Sequence, residues 1–335
     1  MKEIVYIAIP DHNIIEVWNL CRNGILKLIQ TVVTDGQVQP INMIKNKNIL
    51  YAGIRPNNRI IMYSIKHNGL LKKIHESSLP GSPNYIAFDF NNKFLFSCSY
   101  HFNCMSISLL NKNGIVQNPI QTIYNIKGCH AAKVNKKYNV LLLTSLQADC
   151  INLYYLTNNN QIKSTEQKVI YTQKNSGPRH ISIHPNQDFV YTINELNSTI
   201  DVWNLYHEKN MVKIKKIQTI NLFSSQLNKY CWASDIHITS CGRFLYAADR
   251  ASNTIQLFYI RSDNNKIIFF KSYLTEEQPR AFCITWNNHY LIVTGQKSNT
   301  FTIYSISYNT GELRKLNTYN TRIGALWIKP YQLHI

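Results

Sequence analysis

The sequence predicts an all-β protein built as a seven-bladed β-propeller with four-stranded antiparallel blades. Short stretches of alternating apolar and polar residues, bounded by Asn, Asp, Gly and Pro, recur along the whole chain, and such stretches are typical of strands joined by tight turns. A common template also repeats about every 47 residues, which is the length of a four-stranded propeller blade. We therefore expect residues 1–335 to form a single propeller domain.

The clearest copy of the repeat is residues 177–205, GPRHISIHPNQDFVYTINELNSTIDVWNL. Its Pro178 marks the start of the first strand, and the equivalent residues in the other copies are Val38, Pro83, Cys129, Ala233, Pro279 and Ile323. Five residues further on, every copy has an apolar residue, as a buried inner strand requires. A later position is aromatic in six of the seven copies: Trp18, Tyr63, Tyr154, Trp203, Phe258 and Tyr304.

The two ends of the chain are expected to share the seventh blade. The C-terminal stretch Ile323–Pro330 supplies a first strand, and the N-terminal stretches Ile4–Ile9, Ile14–Leu20 and Leu26–Val33 supply the other three. This pairing closes the ring and leaves no exposed sheet edge.

Composition limits the classes of partner. Lys and Arg number 36 against 18 Asp and Glu, a net charge of +18, yet no basic run exceeds two residues. We therefore favour a small anionic substrate over nucleic acid. No apolar run approaches the roughly 18 residues that span a bilayer, and the N-terminus lacks signal-peptide features. We therefore expect a cytoplasmic protein without a membrane partner. We expect it to be a monomer or a weak oligomer. The eight cysteines lack metal-ligand spacing and are expected to be free thiols.

Two positions in each repeat are expected to meet at one mouth of the ring, because the start of the first strand and the end of the second are neighbours in an antiparallel pair. The first position holds Gln39, Asn84, His130, Arg179, Ser234, Arg280 and Gly324, and the second holds Pro10, Arg55, Tyr100, Leu146, Glu195, Arg250 and Gln296. Residues that differ from blade to blade where the scaffold is regular indicate a chemical site.

The expected catalytic residues lie on the adjacent blades three, four and five: His130, Arg179, Glu195 and Arg250. Substrate-binding or orienting roles are expected for Arg55, Arg280, Gln296, His180, Asn194 and Asp235. Purely structural interpretations remain open at this point: His180 and His237 as core histidines, Asp235 as a turn residue, and Arg179 with Glu195 as a structural ion pair. The long connection Asn221–Tyr230 is a candidate lid. We expect no metal and no cofactor, because arginines surround the few possible ligands and repel a cation.

Several stretches resemble the 6-phosphogluconolactonases of the seven-bladed propeller type: DGQVQP (35–40), GSPNYI (81–86), GCH (128–130), GPRHISIHPNQDFVYTINELNSTIDVW (177–203), AADR (247–250), QPR (278–280) and GQKS (295–298). The resemblance implies hydrolysis of 6-phospho-D-glucono-1,5-lactone to 6-phospho-D-gluconate in the oxidative pentose phosphate pathway. The family includes muconate-lactonizing enzymes, whose proposed site uses one His, one Glu and two Arg. By motif these are His130, Glu195, Arg179 and Arg250.

General acid–base hydrolysis without a metal is the expected mechanism. His130 and Glu195 are the candidate acid and base, in either order. Arg179 or Arg250 is expected to stabilise the oxyanion, and the other of these two, with Arg55 or Arg280, to bind the phosphate. Two alternatives stay open: a lactonase or lactonizing enzyme for another acid, and a non-catalytic propeller that serves as an interaction scaffold.

Overall fold

A computed structural model describes residues 2–157, 161–223, 230 and 232–333. The chain begins with three strands of blade seven, β1 (Lys2–Ile9), β2 (Ile14–Leu20) and β3 (Leu26–Val33). Blade one contains β4 (Gln37–Ile44), β5 (Ile49–Arg55), β6 (Arg59–Ile65) and β7 (Leu71–Ser78). Blade two contains β8 (Tyr85–Phe88), β9 (Phe94–Ser99), β10 (Cys104–Leu110) and β11 (Val116–Ile123). Blade three contains β12 (Cys129–Asn135), β13 (Val140–Ser145), β14 (Cys150–Leu156) and β15 (Ile162–Tyr171).

Blade four contains β16 (Pro178–Ile183), β17 (Phe189–Asn194), β18 (Thr199–Glu208) and β19 (Met211–Asn221). Blade five contains β20 (Ala233–Ile238), β21 (Phe244–Asp249), β22 (Thr254–Ile260) and β23 (Ile267–Leu274). Blade six contains β24 (Pro279–Ile284), β25 (Tyr290–Gly295), β26 (Thr300–Ile306) and β27 (Leu313–Asn320), and β28 (Trp327–Leu333) completes blade seven. Single 3-10 turns lie at Pro10–His12, Lys45–Lys47 and Leu146–Ala148. The seven antiparallel sheets confirm the predicted propeller.

The chain termini close the ring as predicted, but the last strand is displaced along the sequence. Strand β28 pairs with β1 from Ala8↔Trp327 to Lys2↔Leu333, whereas the sequence predicts a strand over Ile323–Pro330. The residues before Trp327 instead cross from blade six: Gly324 has a φ of 91° and donates its backbone N–H to the carbonyl of Gln296 at 3.0 Å. That bond makes the segment a link between blades, so the predicted strand start was wrong.

Side chains on the inner three strands of each blade pack against the neighbouring blades. Strand β5 has six buried residues out of seven, while the outer strand β7 is exposed along most of its length. The predicted aromatic position is buried wherever it is aromatic; Trp203 is 2 % exposed and Phe258 is 0 % exposed. Burial of these rings between sheets supplies much of the hydrophobic stabilisation of the ring.

A bulge near the start of the first strand recurs in five of the seven blades. The pairing of the first two strands shifts register after Val38, Cys129, Pro178, Ala233 and Pro279. A bulge leaves one residue outside the ladder and turns its side chain to a new direction. The bulge thus places a re-aimed side chain from each of these five blades at the same mouth of the central channel.

Candidate active site

A cavity of about 250 Å³ lies at this mouth of the channel. Its described lining residues are Arg55, Asn84, Tyr100, His101, His130, Glu195, Trp232, Arg250 and Arg280. Five of the residues selected from the sequence therefore surround one space. Arg179 lies directly behind that space and is only 1 % exposed.

Local backbone structure explains the position of each charged group. His130, Arg179 and Arg280 are each the second residue of a first strand, within the bulge. Glu195 follows the end of β17, and its backbone N–H donates to the carbonyl of Gly177 at 2.8 Å. Gly177 has a φ of +64°, and a Cβ there would lie 2.8 Å from the Leu196 side chain, so glycine is required for this close approach.

Two ion pairs and one hydrogen bond hold the Glu195 carboxylate. Arg179 Nε lies 2.7 Å from Oε2, Arg250 Nη2 lies 3.1 Å from Oε1, and Trp232 Nε1 donates to Oε1 at 3.2 Å. Burial raises the pKa of the Glu195 carboxyl, but the guanidinium charges of Arg179, Arg250 and Arg280 outweigh burial and lower that pKa below its usual value. The carboxyl group is therefore ionised at neutral pH and has no proton to donate.

The imidazole of His130 is neutral. Burial, followed by the positive charges of Arg179, His180, Arg280 and Arg250, lowers the pKa of His130 far below its usual value. Its Nδ1 is buried without a hydrogen-bond partner among the described residues. The backbone carbonyl of His130 accepts a 2.7 Å hydrogen bond from Asn84, which anchors the residue at the cavity wall. A neutral imidazole retains one nitrogen that accepts a proton.

Two guanidinium groups lack a carboxylate partner in the described part of the chain. Arg55 donates from Nε and Nη2 to the carbonyl of Pro83, at 2.9 and 2.8 Å. Arg280 has a buried Nε without a hydrogen-bond partner, and burial together with Arg179 and Arg250 lowers its pKa. A guanidinium group keeps its proton at neutral pH. One carboxylate thus faces four guanidinium groups, and the surplus positive charge suits an anion.

Beneath Arg179, a chain of hydrogen bonds runs down the channel. Arg179 Nη1 donates to His180 Nε2 at 3.1 Å and also to the carbonyl of Ser234. His180 Nδ1 donates to Asp235 Oδ1 at 2.7 Å, and His237 Nε2 lies 3.1 Å from Asp235 Oδ2. Burial and the Arg179 charge lower the pKa of His180 to about 3, so this ring is the neutral tautomer that accepts at Nε2 and donates from Nδ1.

The chain of hydrogen bonds lies outside the lining of the 250 Å³ cavity. His180 and Asp235 line a separate cavity of about 20 Å³ in the channel and not the 250 Å³ cavity. His180 accepts from Arg179, and Asp235 in turn accepts from His180, so the arrangement fits the expected orienting role of both residues. Arg179 is enclosed by Glu195, His180 and Ser234 and does not belong to the described lining of the cavity.

Asn194 and Gln296 were also expected to bind substrate, and the structure places both elsewhere. Asn194 is fully buried and donates to Thr199 Oγ1 at 2.8 Å and to Asp201 Oδ2 at 3.1 Å, inside blade four. Successive side chains of a strand point to opposite faces, so the residue before Glu195 turns away from the cavity. Gln296 lies outside the described lining of the cavity, where its backbone joins blade six to blade seven.

Sequence reasoning missed four lining residues. Asn84 and Tyr100 occupy the two repeat positions that identified the charged residues, so the same signal could have found them. Trp232 and His101 lie just outside those positions, and no repeated feature marks them. Of the predicted lid Asn221–Tyr230, residues 224–229 lie outside the described residues.

The described residues show neither a metal-binding cluster nor a membrane-spanning helix. In residues 2–157, 161–223, 230 and 232–333, no group of three or more His, Cys, Asp or Glu side chains is placed to hold a metal ion. Within the same ranges, no helix has the length and apolar character needed to cross a bilayer.

Comparison with known proteins gives consistent results. The chain matches the family described as "Lactonase, 7-bladed beta-propeller" over residues 5–330. A 6-phosphogluconolactonase of Buchnera aphidicola from Acyrthosiphon pisum (strain 5A) is 61 % identical over 333 residues, covering 99 % of this chain and 100 % of the relative. The 6-phosphogluconolactonase of Yersinia enterocolitica is 39 % identical over 328 residues, covering 98 % of each chain.

Among solved structures, the periplasmic gluconolactonase PpgL of Pseudomonas aeruginosa superposes with a TM-score of 0.90 at 16 % identity over the full length of both chains. At that identity the likeness concerns the fold alone. The family match and the full-length relatives go further: this chain belongs to the seven-bladed β-propeller lactonase family.

Proposed function

We propose that the protein is a 6-phosphogluconolactonase, which hydrolyses 6-phospho-D-glucono-1,5-lactone to 6-phospho-D-gluconate in the oxidative pentose phosphate pathway. The observation that carries the proposal is the surplus of guanidinium groups around one neutral histidine and one ionised glutamate in a single cavity. The names of the full-length relatives support it. We expect the reaction to take place in the cytoplasm and to involve neither nucleic acid nor a membrane.

Arg280 and Arg55 are the proposed phosphate ligands. Neither guanidinium has an ion pair with a described carboxylate, and both line the cavity. A phosphate dianion accepts paired hydrogen bonds from the planar guanidinium group. Binding there supplies the counter-charge that the cavity lacks and leaves the lactone ring toward His130 and Glu195.

His130 is the proposed base and then the proposed acid. Its neutral ring takes a proton from water as the water oxygen bonds to C1 of the lactone, while the Glu195 carboxylate orients that water. The tetrahedral intermediate collapses with cleavage of the bond between C1 and the ring oxygen. The His130 imidazolium returns its proton to that oxygen, and the new carboxylic acid loses its proton to solvent. Glu195 is not the acid, because its lowered pKa keeps it ionised.

Arg250 is the proposed oxyanion donor. Of the two arginines bound to Glu195, only Arg250 lines the cavity. Its position is fixed by Nη2 donating to the carbonyl of Ala233 at 3.0 Å and by the Trp232 ring, whose centroid lies 4.0 Å from the guanidinium carbon. In other acyl-transfer sites, a preorganised hydrogen-bond donor to the oxyanion lowers the activation barrier by about 3–4 kcal/mol.

Turnover of freshly generated lactone tests the proposal. Purified protein is mixed with 6-phosphogluconolactone and, separately, with glucono-1,5-lactone, and ring opening is followed after subtraction of spontaneous hydrolysis. We expect a much higher kcat/KM for the phosphorylated lactone, because the phosphate is needed at Arg280 and Arg55. Equal turnover of both lactones rules out the phosphate site, and no turnover of either rules out the lactonase activity.

A further inference from the structure

A second cavity, of about 310 Å³, opens at the opposite mouth of the central channel. Its walls include Met43, Ile238 and Ile284, which lie at or next to the far ends of the inner strands β4, β20 and β24. The beginnings of those strands lie at the mouth that holds His130 and Arg280. The two cavities share no described lining residue, so the second cavity is a separate space.

The basic side chains of the second cavity outnumber the carboxylates near it. Glu3 lies beside the cavity, where it accepts a 3.0 Å hydrogen bond from the backbone N–H of Trp286 and its charge acts on Lys45. Lys45, Lys329 and His237 line it, and no described Asp or Glu side chain does. Lys329 also faces the narrow part of the channel together with Lys133. Neither lysine forms an ion pair or side-chain hydrogen bond with any described residue. Burial lowers the pKa of both ammonium groups, as expected for cations without a counter-ion.

The carboxylate next to these lysines is already engaged. Asp235 accepts from His180 on one oxygen and contacts His237 on the other, and it also accepts from the backbone N–H of Ile236. A buried ammonium group without a partner is costly unless an anion or water meets it. The ammonium groups of Lys329 and Lys133 can therefore accept an anionic ligand at this end of the channel.

The remaining surface of the second cavity consists of apolar side chains and of polar side chains that already have hydrogen-bond partners. Met43, Ile238, Ile284, Ile328 and Pro330 form apolar walls. Trp286 lies at the rim with 44 % of its surface exposed, and the Lys45 ammonium group lies over one face of its ring. Asn288 and Ser240 bond to each other, and Asn42 donates to the carbonyl of Ile86. Few groups remain to bind the hydroxyls of a sugar, whereas an apolar body fits these walls.

We propose that the second cavity binds a small organic carboxylate with an apolar, aromatic body. The carboxylate lies at Lys329 and Lys45, and the ring lies against Met43 and Ile284 beside the exposed indole of Trp286. Aromatic rings next to lysine ammonium groups gain both apolar burial and charge pairing. This site is distinct from the lactonase cavity and does not depend on the function proposed for that cavity.

Calorimetric titration of the full-length protein with benzoate tests the proposal. All titrations use protein that carries Arg280→Ala. This substitution lies at the other mouth and weakens anion binding in the lactonase cavity. We expect one benzoate site with affinity in the millimolar range or better. Lys329→Met should weaken binding about tenfold or more, because one charge-assisted bond contributes at least about 1.5 kcal/mol. Lys45→Met should also weaken it, with partial recovery in Lys45→Arg.

Lys271→Met is the matched control, because Lys271 is an exposed lysine whose ammonium pairs with Glu312 at 3.0 Å on an outer strand. It should leave benzoate affinity unchanged. Thermal unfolding shows whether Lys329→Met is folded, and Lys45 at the rim provides the second variant if it is not. Absence of benzoate binding, or equal affinity in Lys45→Met, Lys329→Met and their Arg280→Ala parent, overturns the proposal. Binding of inorganic phosphate in place of benzoate overturns the assigned carboxylate class.

Discussion

Replacement of Arg280 by alanine separates substrate binding from stability. The guanidinium has no ion-pair partner among the described residues, and its Nε makes no hydrogen bond. Arg280→Ala therefore leaves no protein group unpaired. It also removes a positive charge that Arg179 and Arg250 repel, since these neighbours and burial lower the pKa of Arg280. We expect the free energy of unfolding to stay the same or to rise.

The effect on the substrate has the opposite sign. Charge-assisted hydrogen bonds contribute about 1.5–3 kcal/mol each, and 1.4 kcal/mol corresponds to a tenfold change in affinity. Loss of the phosphate contact should therefore raise KM for 6-phosphogluconolactone about 10-fold to 150-fold while kcat changes little, because the lost contact binds substrate and transition state alike. With glucono-1,5-lactone, the variant and the wild type should behave alike.

The assay measures kcat and KM for both lactones, alongside denaturant unfolding. Arg261→Ala is the control, because Arg261 pairs with Asp263 at 2.7 Å on the exposed surface, and its KM should match that of the wild type. A fall in kcat with unchanged KM, or an equal loss on both lactones, refutes the assignment of Arg280 to the phosphate.

Three further predictions follow from the same geometry. Glu195→Gln should lower kcat about 100-fold or more while KM stays within a few-fold of the wild-type value. It should also reduce the free energy of unfolding, because Arg179 and Arg250 lose their shared carboxylate. An unchanged kcat would mean that Glu195 has only a structural role. Asp235→Asn should lower kcat about tenfold, with KM within twofold, because a neutral amide oxygen accepts from His180 about 1.4 kcal/mol more weakly than the carboxylate. A rise in KM alone would place Asp235 in substrate binding. The free energy of unfolding should fall as pH decreases from about 6.5 to 5. His130 and His180 have lowered pKa values in the folded state, so over this range they take up protons only when the protein unfolds. A constant free energy of unfolding over that range in denaturant titrations would contradict the burial of these two histidines as neutral rings.

The repeat made both the fold and most of the cavity predictable. Equivalent positions in an antiparallel blade must lie at the same mouth, so His130, Glu195 and Arg280 could be brought together without coordinates. Two residues that were expected to bind substrate lie outside the described lining of the cavity for a physical reason. Asn194 precedes Glu195 and points to the opposite face of its strand, and Gln296 follows β25 where the chain crosses to the next blade.

Other features are absent from the repeat and so escaped prediction. Trp232 enters the cavity from a connection between blades, and nothing in its position sets it apart from other tryptophans. Arg179 shares its repeat position with Arg280, yet its guanidinium is enclosed by Glu195 and His180 while that of Arg280 faces the cavity. The difference arises from partners on neighbouring blades, which pattern within one strand cannot show.

The position of bound product tests the central claim most directly. A crystal structure with 6-phospho-D-gluconate should show the phosphate on the guanidinium groups of Arg280 and Arg55, and the C1 carboxylate beside His130 and Arg250. Product bound in the reverse orientation, or at the opposite mouth against Lys329 with the arginine cavity empty, contradicts the account of how this propeller binds and opens the lactone.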